Sequence, residues 1–494
     1  MNRVGSISVW IVAAVLVKSI FAAPPPAEPV EIGTETQFLI DDHLVDNRWA
    51  VKQKKEAVLR VLHPPVKHPG NPLIAGDGGF VSVVKDEEAG LFRMWYQTHT
   101  WESLGTDETK TIYGIAYAES TDGLHWDRPS LGLYDWEGST ENNIVWRGLK
   151  ESRASGPQIL KVPEKDRRGH RFLLTYRTTA ATKGQNGIRV IGSQDGIHWD
   201  ESSDTLIHPL PSDTLNSIVY DEAREEYVMF CRPKDRYRLF NGDILDTGES
   251  RRIARMSHTS LWETWPTSPQ TILTPDELDA RESFNAFYGM PTRYHAGIYW
   301  GALWCFRFND HIFTELAFSR DGYQFDRLPD RPKLIPLGEE GTWDDSMAFG
   351  SMDWVEVGDE WWFYYAGWDG DHGGKDRRPG IGLAISRKDG LVSLHGPSGG
   401  GVVVTRLLKW PGGNLLVNAD ASEGELKVRV TDAHRKVIPG FDYPDAEPLS
   451  KDRITHEVEW KDHSLDELTG REVRLEFYLR NSDLFTFRAT GSVP

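Results

Sequence analysis

The sequence predicts an all-β protein: a five-bladed β-propeller over residues 31–395, followed by a β-sandwich over residues 396–494. Three observations lead to this prediction. The chain holds 19 Trp, 20 Phe and 16 Tyr together with 46 Gly and 28 Pro, a composition that favours strands joined by tight turns over long helices. A turn motif recurs along the chain, and the hydrophobic pattern changes near the C-terminal end.

The recurring motif is Ser-x-Asp-Gly followed by an aromatic residue, or a close variant of it. In four copies an aspartate precedes a glycine: Asp122, Asp195, Asp321 and Asp389. The stretch 251–265, "RRIARMSHTSLWETW", stands at the position of a fifth copy that keeps a Ser and a Trp and has lost the Asp-Gly step. A long and nearly even period of this kind indicates a repeat architecture.

Each copy of the motif belongs to a longer unit. An aromatic strand lies upstream of it, as in "LFRMWYQT" from Leu91 or "EWWFYYAGW" from Glu360, and another short strand precedes that one. A unit therefore reads as four antiparallel strands, and five units make a five-bladed propeller. The Asp-Gly step is then the turn between the third and fourth strands, and the aromatic residue packs between blades. On this interpretation the repeated aspartates are structural.

The segments on either side of the repeat carry their own patterns. Before the first blade, "TQFLIDDHLVDN" (36–47) is a predicted strand that helps to close the ring. After Gly396, segments such as "ELKVRVTDA" and "REVRLEFYLRN" alternate apolar and polar residues, which is typical of strands with one solvated face. About 95 residues with this pattern predict a β-sandwich.

The N-terminal 23 residues have the pattern of a secretory signal peptide. Arg3 precedes the apolar run Val9–Val17, and small residues up to Ala23 follow. The run is too short to span a bilayer, so we expect cleavage near Ala22 or Ala23 and a secreted or periplasmic location. An uncleaved anchor helix is the alternative.

The net charge excludes some classes of partner, and the cysteine content excludes a disulfide-rich scaffold. The net charge of −18 argues against nucleic acid or an anionic membrane as a partner. The chain has two cysteines, Cys231 and Cys305, too few for a secreted disulfide scaffold. We expect two buried thiols, with a single bridge as the alternative, and no metal or cofactor.

Taken together, these features resemble the five-bladed propeller glycoside hydrolases of families 32 and 43, which include fructofuranosidases, arabinanases and xylosidases. The segments that carry the resemblance are "NPLI" before blade one, the Ser-x-Asp-Gly-x-x-Trp turns, "FLIDDHLVD", "LFRMWYQT" and "LLVNADAS". The resemblance covers nearly the whole mature chain, and the quoted segments are similar to those of secreted homologues that degrade polysaccharides. It implies a funnel at one end of the propeller axis, lined by the starts of the first strands, and a carboxylate pair for acid and base chemistry.

Two carboxylates, Asp77 and Asp213, occupy positions that the resemblance marks as catalytic, and a third is an alternative. Asp77 in "AGDGGF" stands where a base or nucleophile begins blade one, and the two glycines after it allow a close backbone approach to a ligand. Asp213 stands at the acid position of blade three, where the family has Glu, and Glu282 before blade four is the alternative acid. Blade two begins with "RASGPQIL" and lacks the family's Asp.

Further residues are candidates for sugar binding. Asn216 can hydrogen-bond a hydroxyl, Asp344 and Asp345 begin blade five, and Trp368 and His372 lie at the start of a polar loop. The remaining candidates are three arginines near the ends of second strands: Arg177, Arg232 and Arg307. Guanidinium groups match carboxylate or sulfate, so an acidic or sulfated carbohydrate is a candidate substrate. The alternative is that these arginines pair with the protein's own carboxylates.

The sequence thus indicates a secreted glycosidase that cleaves terminal sugars from a poly- or oligosaccharide. A non-catalytic carbohydrate-binding propeller is the alternative from another class. A phosphorolytic enzyme, in which arginines hold phosphate, is a third interpretation and ranks lowest, because a secreted enzyme meets little phosphate.

Overall fold

A computed structural model describes residues 28–46, 58–103, 109–151, 153–178, 186–209, 212–213, 215–238, 244–249, 251–266, 268–281, 283–374 and 376–491. The signal peptide and the alternative anchor helix lie outside these residues. Within the described parts of the chain, α1 (Glu277–Arg281) is the one α-helix, and no helix has the length and apolarity needed to cross a membrane. The prediction of an all-β protein is confirmed.

Five short strands precede the repeated region. They are β1 (Val30–Glu31), β2 (Gln37–Phe38), β3 (Leu59–Leu62), β4 (Val66–Lys67) and β5 (Ile74–Ala75). None of them pairs with its neighbours in sequence; each is hydrogen-bonded to a strand more than 300 positions further along the chain.

Units 1 and 2 are antiparallel sheets whose strands follow one another in chain order. Unit 1 consists of β6 (Val81–Asp86), β7 (Leu91–Ser103), β8 (Thr109–Ser120) and β9 (Ile144–Trp146), and unit 2 of β10 (Ser155–Ile159), β11 (Phe172–Thr178), β12 (Gly187–Ser193) and β13 (Trp199–His208). The hairpin β7–β8 is longer than the others in these two units. Its strands pair without interruption from Phe92 opposite Ser120 to Ser103 opposite Thr109.

Unit 3 has the same order with an extra hairpin between its second and third strands. Its strands are β14 (Ser217–Asp221), β15 (Glu226–Cys231), β18 (Ile253–His258) and β19 (Gln270–Leu273), and the inserted hairpin is β16 (Lys234–Arg238) with β17 (Ile244–Glu249). The stretch 251–265, the motif copy that lacks the Asp-Gly step, therefore supplies the third strand of unit 3, as the sequence predicts.

Units 4 and 5 have interrupted inner and outer strands. Unit 4 consists of β20 (Phe284–Gly289), β21 (Thr292–His295), β22 (Ile298–Arg307), β23 (Ile312–Ser319), β24 (Asp326–Arg327) and β25 (Lys333–Ile335), and unit 5 of β26 (Met347–Phe349), β27 (Val355–Val357), β28 (Glu360–Trp368) and β29 (Pro379–Arg387). In β28 every residue after Glu360 is buried, because both faces of the strand are covered by neighbouring units.

The outer edge of unit 5 is completed from the N-terminal part of the chain. Strands β4 and β5 pair antiparallel with β29, and the Asn71 side chain both donates to the Leu383 carbonyl and accepts from the Leu383 N–H at 2.9 Å. The prediction that residues 36–47 close the ring is wrong, since β2 pairs instead with a strand near the C-terminus. The "NPLI" segment, which ends in β5, lies instead along β29.

Contacts join each unit to the next, including the fifth to the first. The Tyr364 hydroxyl of unit 5 donates to the Gly123 carbonyl of unit 1 at 2.8 Å. The other four contacts are Trp95 Nε1 to the Gly196 carbonyl, Trp262 Nε1 to the Asp166 carbonyl, Arg255 Nη1 to the Tyr323 hydroxyl, and His295 Nε2 with Asp389 Oδ1. The order of contacts is therefore cyclic.

The C-terminal region forms two further sheets. Its strands are β30 (Val392–Gly396), β31 (Gly401–Val404), β32 (Leu408–Lys409), β33 (Leu415–Asp420), β34 (Glu425–Thr431), β35 (Asp452–Glu457), β36 (Glu472–Arg480) and β37 (Ser482–Ala489). One sheet contains β1, β31, β32, β34 and β36, and the other β2, β3, β30, β33, β35 and β37. They share one hydrophobic core. Because β1–β3 belong to these sheets, the two regions are not consecutive stretches of the chain.

Candidate functional site

All five units contribute to one pocket. Its empty space is about 790 Å³, counting the part open to solvent. Each unit supplies at least one wall residue: His99 from unit 1, Arg177 from unit 2, Asp213 from the start of unit 3, Tyr288 from unit 4 and Trp368 from unit 5. Polar and charged side chains share this wall with aromatic rings, and polar groups that converge beside aromatic surface on a concave wall are typical of a small-molecule site.

Asp77 lies beside this pocket, next to the wall residue Gly78. Its Oδ1 accepts hydrogen bonds from the Thr98 hydroxyl at 2.7 Å and from the Gly78 N–H at 2.9 Å, and its Oδ2 accepts one from the Tyr96 hydroxyl at 3.1 Å. Burial and the charge of Asp77 raise the pKa of Tyr96, so that hydroxyl keeps its proton and remains a donor. Three donors thus hold a carboxylate that is still 25% exposed.

The glycines after Asp77 serve the protein's own packing. A Cβ at Gly78 would lie 2.8 Å from a side-chain carbon of Ile381, and one at Gly79 would lie 2.8 Å from the Gln97 carbonyl. Gly78 also has a φ of +132°, which favours glycine. The sequence analysis expects these glycines to let the backbone approach a ligand. In the structure they instead let the backbone after Asp77 pack closely against β7 and β29.

Asp213 projects into the pocket between two arginines. Its Oδ1 lies 3.1 Å from Arg177 Nη1 and its Oδ2 lies 3.7 Å from Arg232 Nη1, while 65% of its side chain is exposed. Arg232 is buried, donates twice to the Tyr288 carbonyl and lies over the Tyr288 ring at 4.6 Å. Of the two, Arg177 lines the pocket and Arg232 supports it from behind.

Two predicted binding residues, Asp344 and Asp345, do not line the pocket. Asp344 is buried and accepts from Lys67 Nζ at 2.6 Å and from the Tyr365 hydroxyl at 2.8 Å, so it is a structural residue. Asp345 accepts from the Gly341 N–H and the Ser346 hydroxyl within its own turn. Both precede β26, whose Met347 and Phe349 face the pocket instead.

Asn216 and Arg307 also lie away from the pocket wall. Asn216 is 3% exposed and donates to the Ser212 carbonyl, which removes it from contact with a ligand. Arg307 packs its guanidinium over the Phe313 ring at 5.1 Å. Glu282, the alternative acid, lies outside the described residues, so it stays a prediction.

Trp368 and His372 both line the pocket. Trp368 packs against Phe349 with ring centroids 5.0 Å apart. His372 Nε2 lies 3.0 Å from the Tyr288 hydroxyl, and its backbone N–H donates to the Asp310 carbonyl. Burial, together with the charge of Arg377, lowers the pKa of His372 to about 4. This imidazole is neutral at ordinary pH.

The wall residues that were not predicted from the sequence include Gln97, His99, Tyr288 and Arg377. Gln97 and His99 alternate along the polar end of β7, and Gln97 Oε1 accepts from the Gly156 N–H at 2.9 Å, which joins units 1 and 2. Burial and the charge of Arg377 lower the pKa of His99. The change in "LFRMWYQTHT" from aromatic to polar residues is the signal that marks these two positions. No sequence signal distinguishes Arg377 from its neighbour Arg378.

A metal-based site finds no support in the described parts of the chain, because no group of three or more His, Cys, Asp or Glu side chains there is arranged to hold an ion. Cys231 and Cys305 are both buried and form no disulfide.

Comparisons with known proteins give weak matches. No known family model matches the sequence. The uncharacterized protein Rv1502 of Mycobacterium tuberculosis is 26% identical over 151 residues, which are 29% of this chain and 43% of that protein. The chain therefore spans less than half the length of this curated relative.

Several solved structures are similar to about two thirds of this chain. They include an N-acetylgalactosamine deacetylase from F. plautii (15% identity, TM-score 0.44, 67% of this chain and 95% of the other). A GH130-family structure, from a family of mannoside phosphorylases that contains glycoside hydrolases, has 14% identity, a TM-score of 0.45 and coverage of 67% and 97%. A β-1,2-mannobiose phosphorylase from Listeria innocua has 11% identity, a TM-score of 0.46 and coverage of 65% and 96%. Glycoside-processing enzymes are thus among the similar structures, as the sequence motifs indicate.

Proposed function

We propose that units 1–5 are the blades of a five-bladed β-propeller, with the pocket at one end of its axis and a C-terminal β-sandwich beside it. The cyclic order of contacts between units supports this arrangement, since unit 5 contacts unit 1 through Tyr364 and Gly123. The shared pocket supports it as well, because blades that surround an axis all reach the same opening.

The function that this site fits best is cleavage of a terminal sugar from a poly- or oligosaccharide. One observation carries the proposal: a single pocket has wall residues from every unit, an exposed carboxylate at Asp213 and a firmly held carboxylate at Asp77 beside it. Two carboxylates that flank a glycosidic bond are the usual equipment for its hydrolysis. The rings of Phe80, Tyr288 and Trp368 form apolar wall against which a sugar ring can pack.

In this proposal Asp77 is the base or nucleophile. Its three donors fix the orientation of the carboxylate, which a reacting group needs. The acid is Asp213 or Glu282. The oxygens of Asp213 are already engaged by Arg177 and Arg232, and this favours a role for Asp213 in holding substrate and leaves proton donation to Glu282.

Turnover of a substrate panel tests the proposal. We expect the purified chain to release reducing sugar from at least one plant or algal polysaccharide, or from one aryl glycoside, in buffer without phosphate. Release that depends on added phosphate supports the phosphorolytic alternative. Binding of a sugar without release by any route supports the non-catalytic carbohydrate-binding propeller and contradicts the glycosidase proposal.

Leaving-group dependence separates the two candidate acids. A general acid protonates the departing oxygen, so its loss matters less when the leaving group is a good one. We expect Glu282→Gln to lose activity on a natural glycoside while retaining most of it on a dinitrophenyl glycoside. Asp213→Asn is expected to lose both to a similar extent. The reverse pattern would make Asp213 the acid.

The proposal includes a secreted or periplasmic location, supported by the signal-peptide pattern at Arg3 and Val9–Val17. N-terminal sequencing of the protein exported from its native host tests it. A mature chain that begins near Pro24 agrees with export and cleavage, and a chain that keeps Met1 and remains in the membrane fraction supports the anchor helix.

A further inference from the structure

The pocket has more positive than negative groups among its described residues, although the chain as a whole has a net charge of −18. Arg177 and Arg377 lie in the wall and Arg232 lies directly behind it. Of the two carboxylates at the pocket, Asp213 is paired with Arg177 and Arg232, and Asp77, beside the wall, has Arg128 Nη1 at 3.8 Å. Arg377 is the third guanidinium group, and no described carboxylate forms an ion pair with it.

Arg377 is held in place by the loop that carries it. Its Nη1 donates to the His372 carbonyl, and the loop is anchored at both ends. Asp369 accepts from the Arg378 N–H and from Arg378 Nε, both at 2.7 Å. His311 Nε2 lies 3.1 Å from Asp371 Oδ1. A guanidinium group has five N–H donors, so Arg377 keeps several for a ligand.

The histidines beside Arg377 complete a surface suited to an anion. His99 and His372 line the same wall, and the positive field of Arg377 contributes to the lowered pKa of each. Both rings are neutral and can hydrogen-bond a ligand. The positive charge that a ligand oxyanion meets beside them is therefore that of Arg377.

We infer that this pocket selects an anionic sugar unit, whose carboxylate or sulfate ester binds Arg377 beside His372 and His99. This inference rests on the proposed function, because it names the class of sugar that the same pocket accepts. The planar guanidinium fork fits both oxyanions. The chemistry of the ligand is therefore a sugar oxyanion, and the probes below separate its two sources.

Binding to matched sugar pairs tests the inference directly. By calorimetry, we compare methyl glycosides of glucuronate, galacturonate and mannuronate with those of glucose, galactose and mannose, and each hexose 6-sulfate with its free hexose. We expect at least one anionic member to bind about tenfold or more tightly than its neutral partner, the size expected of a charge-assisted hydrogen bond. The preference should weaken as salt increases. The class of the preferred probe, uronate or sulfate ester, identifies the source of the oxyanion.

Variants of two neighbouring arginines locate the effect. Arg377→Gln is expected to abolish the preference, so that the anionic and neutral members of each pair bind within about twofold of one another. Arg378→Gln is the matched control, because the Arg378 side chain is 81% exposed and the Arg378 backbone N–H still donates to Asp369 after the substitution, which keeps the loop anchored; it should keep the preference. Arg377→Lys, which retains the charge and loses the fork, should keep part of it. Unchanged thermal unfolding of each variant shows that the fold is intact.

The outcomes separate this inference from the proposed function. Equal affinity for neutral and anionic members of every pair overturns the inference and leaves the carbohydrate-processing proposal standing. No binding of any sugar overturns both. A preference that survives Arg377→Gln also overturns the inference. So does tight binding of inorganic phosphate without any preference among the sugars, since the anion is then a co-substrate.

Discussion

The repeated aspartates and the unrepeated ones have different surroundings. Asp122 accepts from the backbone N–H groups of Leu124 and His125, both at 2.8 Å, and from the His125 ring; its partners all lie within three positions of it. Asp77 instead accepts from Tyr96 and Thr98 of β7, and Asp213 is held by arginines of units 2 and 3. Residues that recur with the repeat therefore build the turns of the fold, and residues that interrupt it build the pocket.

The largest expected effect is on turnover, and it comes from an unrepeated aspartate. Asp77→Asn removes the charge with little change of shape, so we expect turnover to fall about 10²–10⁴-fold, the usual contribution of a general base. Sugar binding by calorimetry should remain. Asp122→Asn is the same change at a repeated position and should leave turnover within about twofold per folded molecule. Equal losses in both variants would remove the distinction between the two groups.

The next effect is on stability, at the point where a repeated turn meets its neighbouring unit. Gly196 has a φ of +76°, and a Cβ there would lie 2.5 Å from Trp95 Cζ2. Gly196→Ala should lower the free energy of unfolding by about 2–5 kcal/mol, because left-handed strain and overpacking add. Gly90→Ala is the matched control: its φ is +65° and nothing lies within 4 Å, so about 1–2 kcal/mol is expected. Urea titration measures both.

A smaller effect is expected from the turn aspartate itself. Asp122→Ala removes hydrogen bonds to two backbone N–H groups, as loss of a capping side chain does, and should lower the free energy of unfolding by about 0.5–2 kcal/mol. Activity per folded molecule should not change. An inactive but stable Asp122→Ala protein would place a repeated aspartate in the function and contradict the structural interpretation.

The smallest effects are in the pH dependence of stability. Asp195 of a repeated turn and His372 of the pocket should titrate in different pH ranges. Burial raises the pKa of Asp195, but hydrogen bonds from His198 outweigh it and lower the pKa to about 2; its stabilisation is present above about pH 4 and is lost as pH falls toward 2. Burial lowers the pKa of His372 to about 4, so its neutral form stabilises the fold above about pH 6.5. That contribution is lost as pH falls from 6.5 toward 4.

Single variants assign these two windows. His372→Gln should flatten the fall in unfolding free energy between about pH 6.5 and 4, and Asp195→Asn should flatten it between about pH 4 and 2. Urea titrations at a series of pH values provide the measurement. An unchanged slope in the upper window for His372→Gln would show that this ring is not held neutral by the pocket.

Much of the repeat could be predicted from the sequence, because its information is local. A Ser, an Asp and a Gly at fixed spacing satisfy one another within a single turn: the Ser120 hydroxyl accepts from the Gly123 N–H at 2.8 Å, and the Ser193 and Ser319 hydroxyls do the same in their copies at 2.9 Å. Each such turn carries its own reason to form.

The pocket could be predicted only in part, because its residues meet through the tertiary arrangement. Arg177 and Asp213 are predicted from their positions at strand ends, and Trp368 and His372 from a polar loop; the structure places all four in one wall. Asp344 holds a similar position but turns toward Lys67, a residue of β4. Nothing local separates these outcomes, since the partner of Asp344 lies 277 positions away. The two-residue strands β4 and β5 are likewise too short to show an alternating pattern.

Because the first strands pair with late ones, they cannot complete their sheets until most of the chain has been synthesised. Glu31 of β1 meets Lys409 of β32 across 378 positions, and Asn71 meets Leu383 across 312. At translation rates of roughly 5–20 residues per second, the N-terminal strands wait roughly 20–75 s for their partners to be made. During that time their edges are open to other chains. A chaperone that covers these edges until the last strands are made is therefore expected to raise the yield of folded protein.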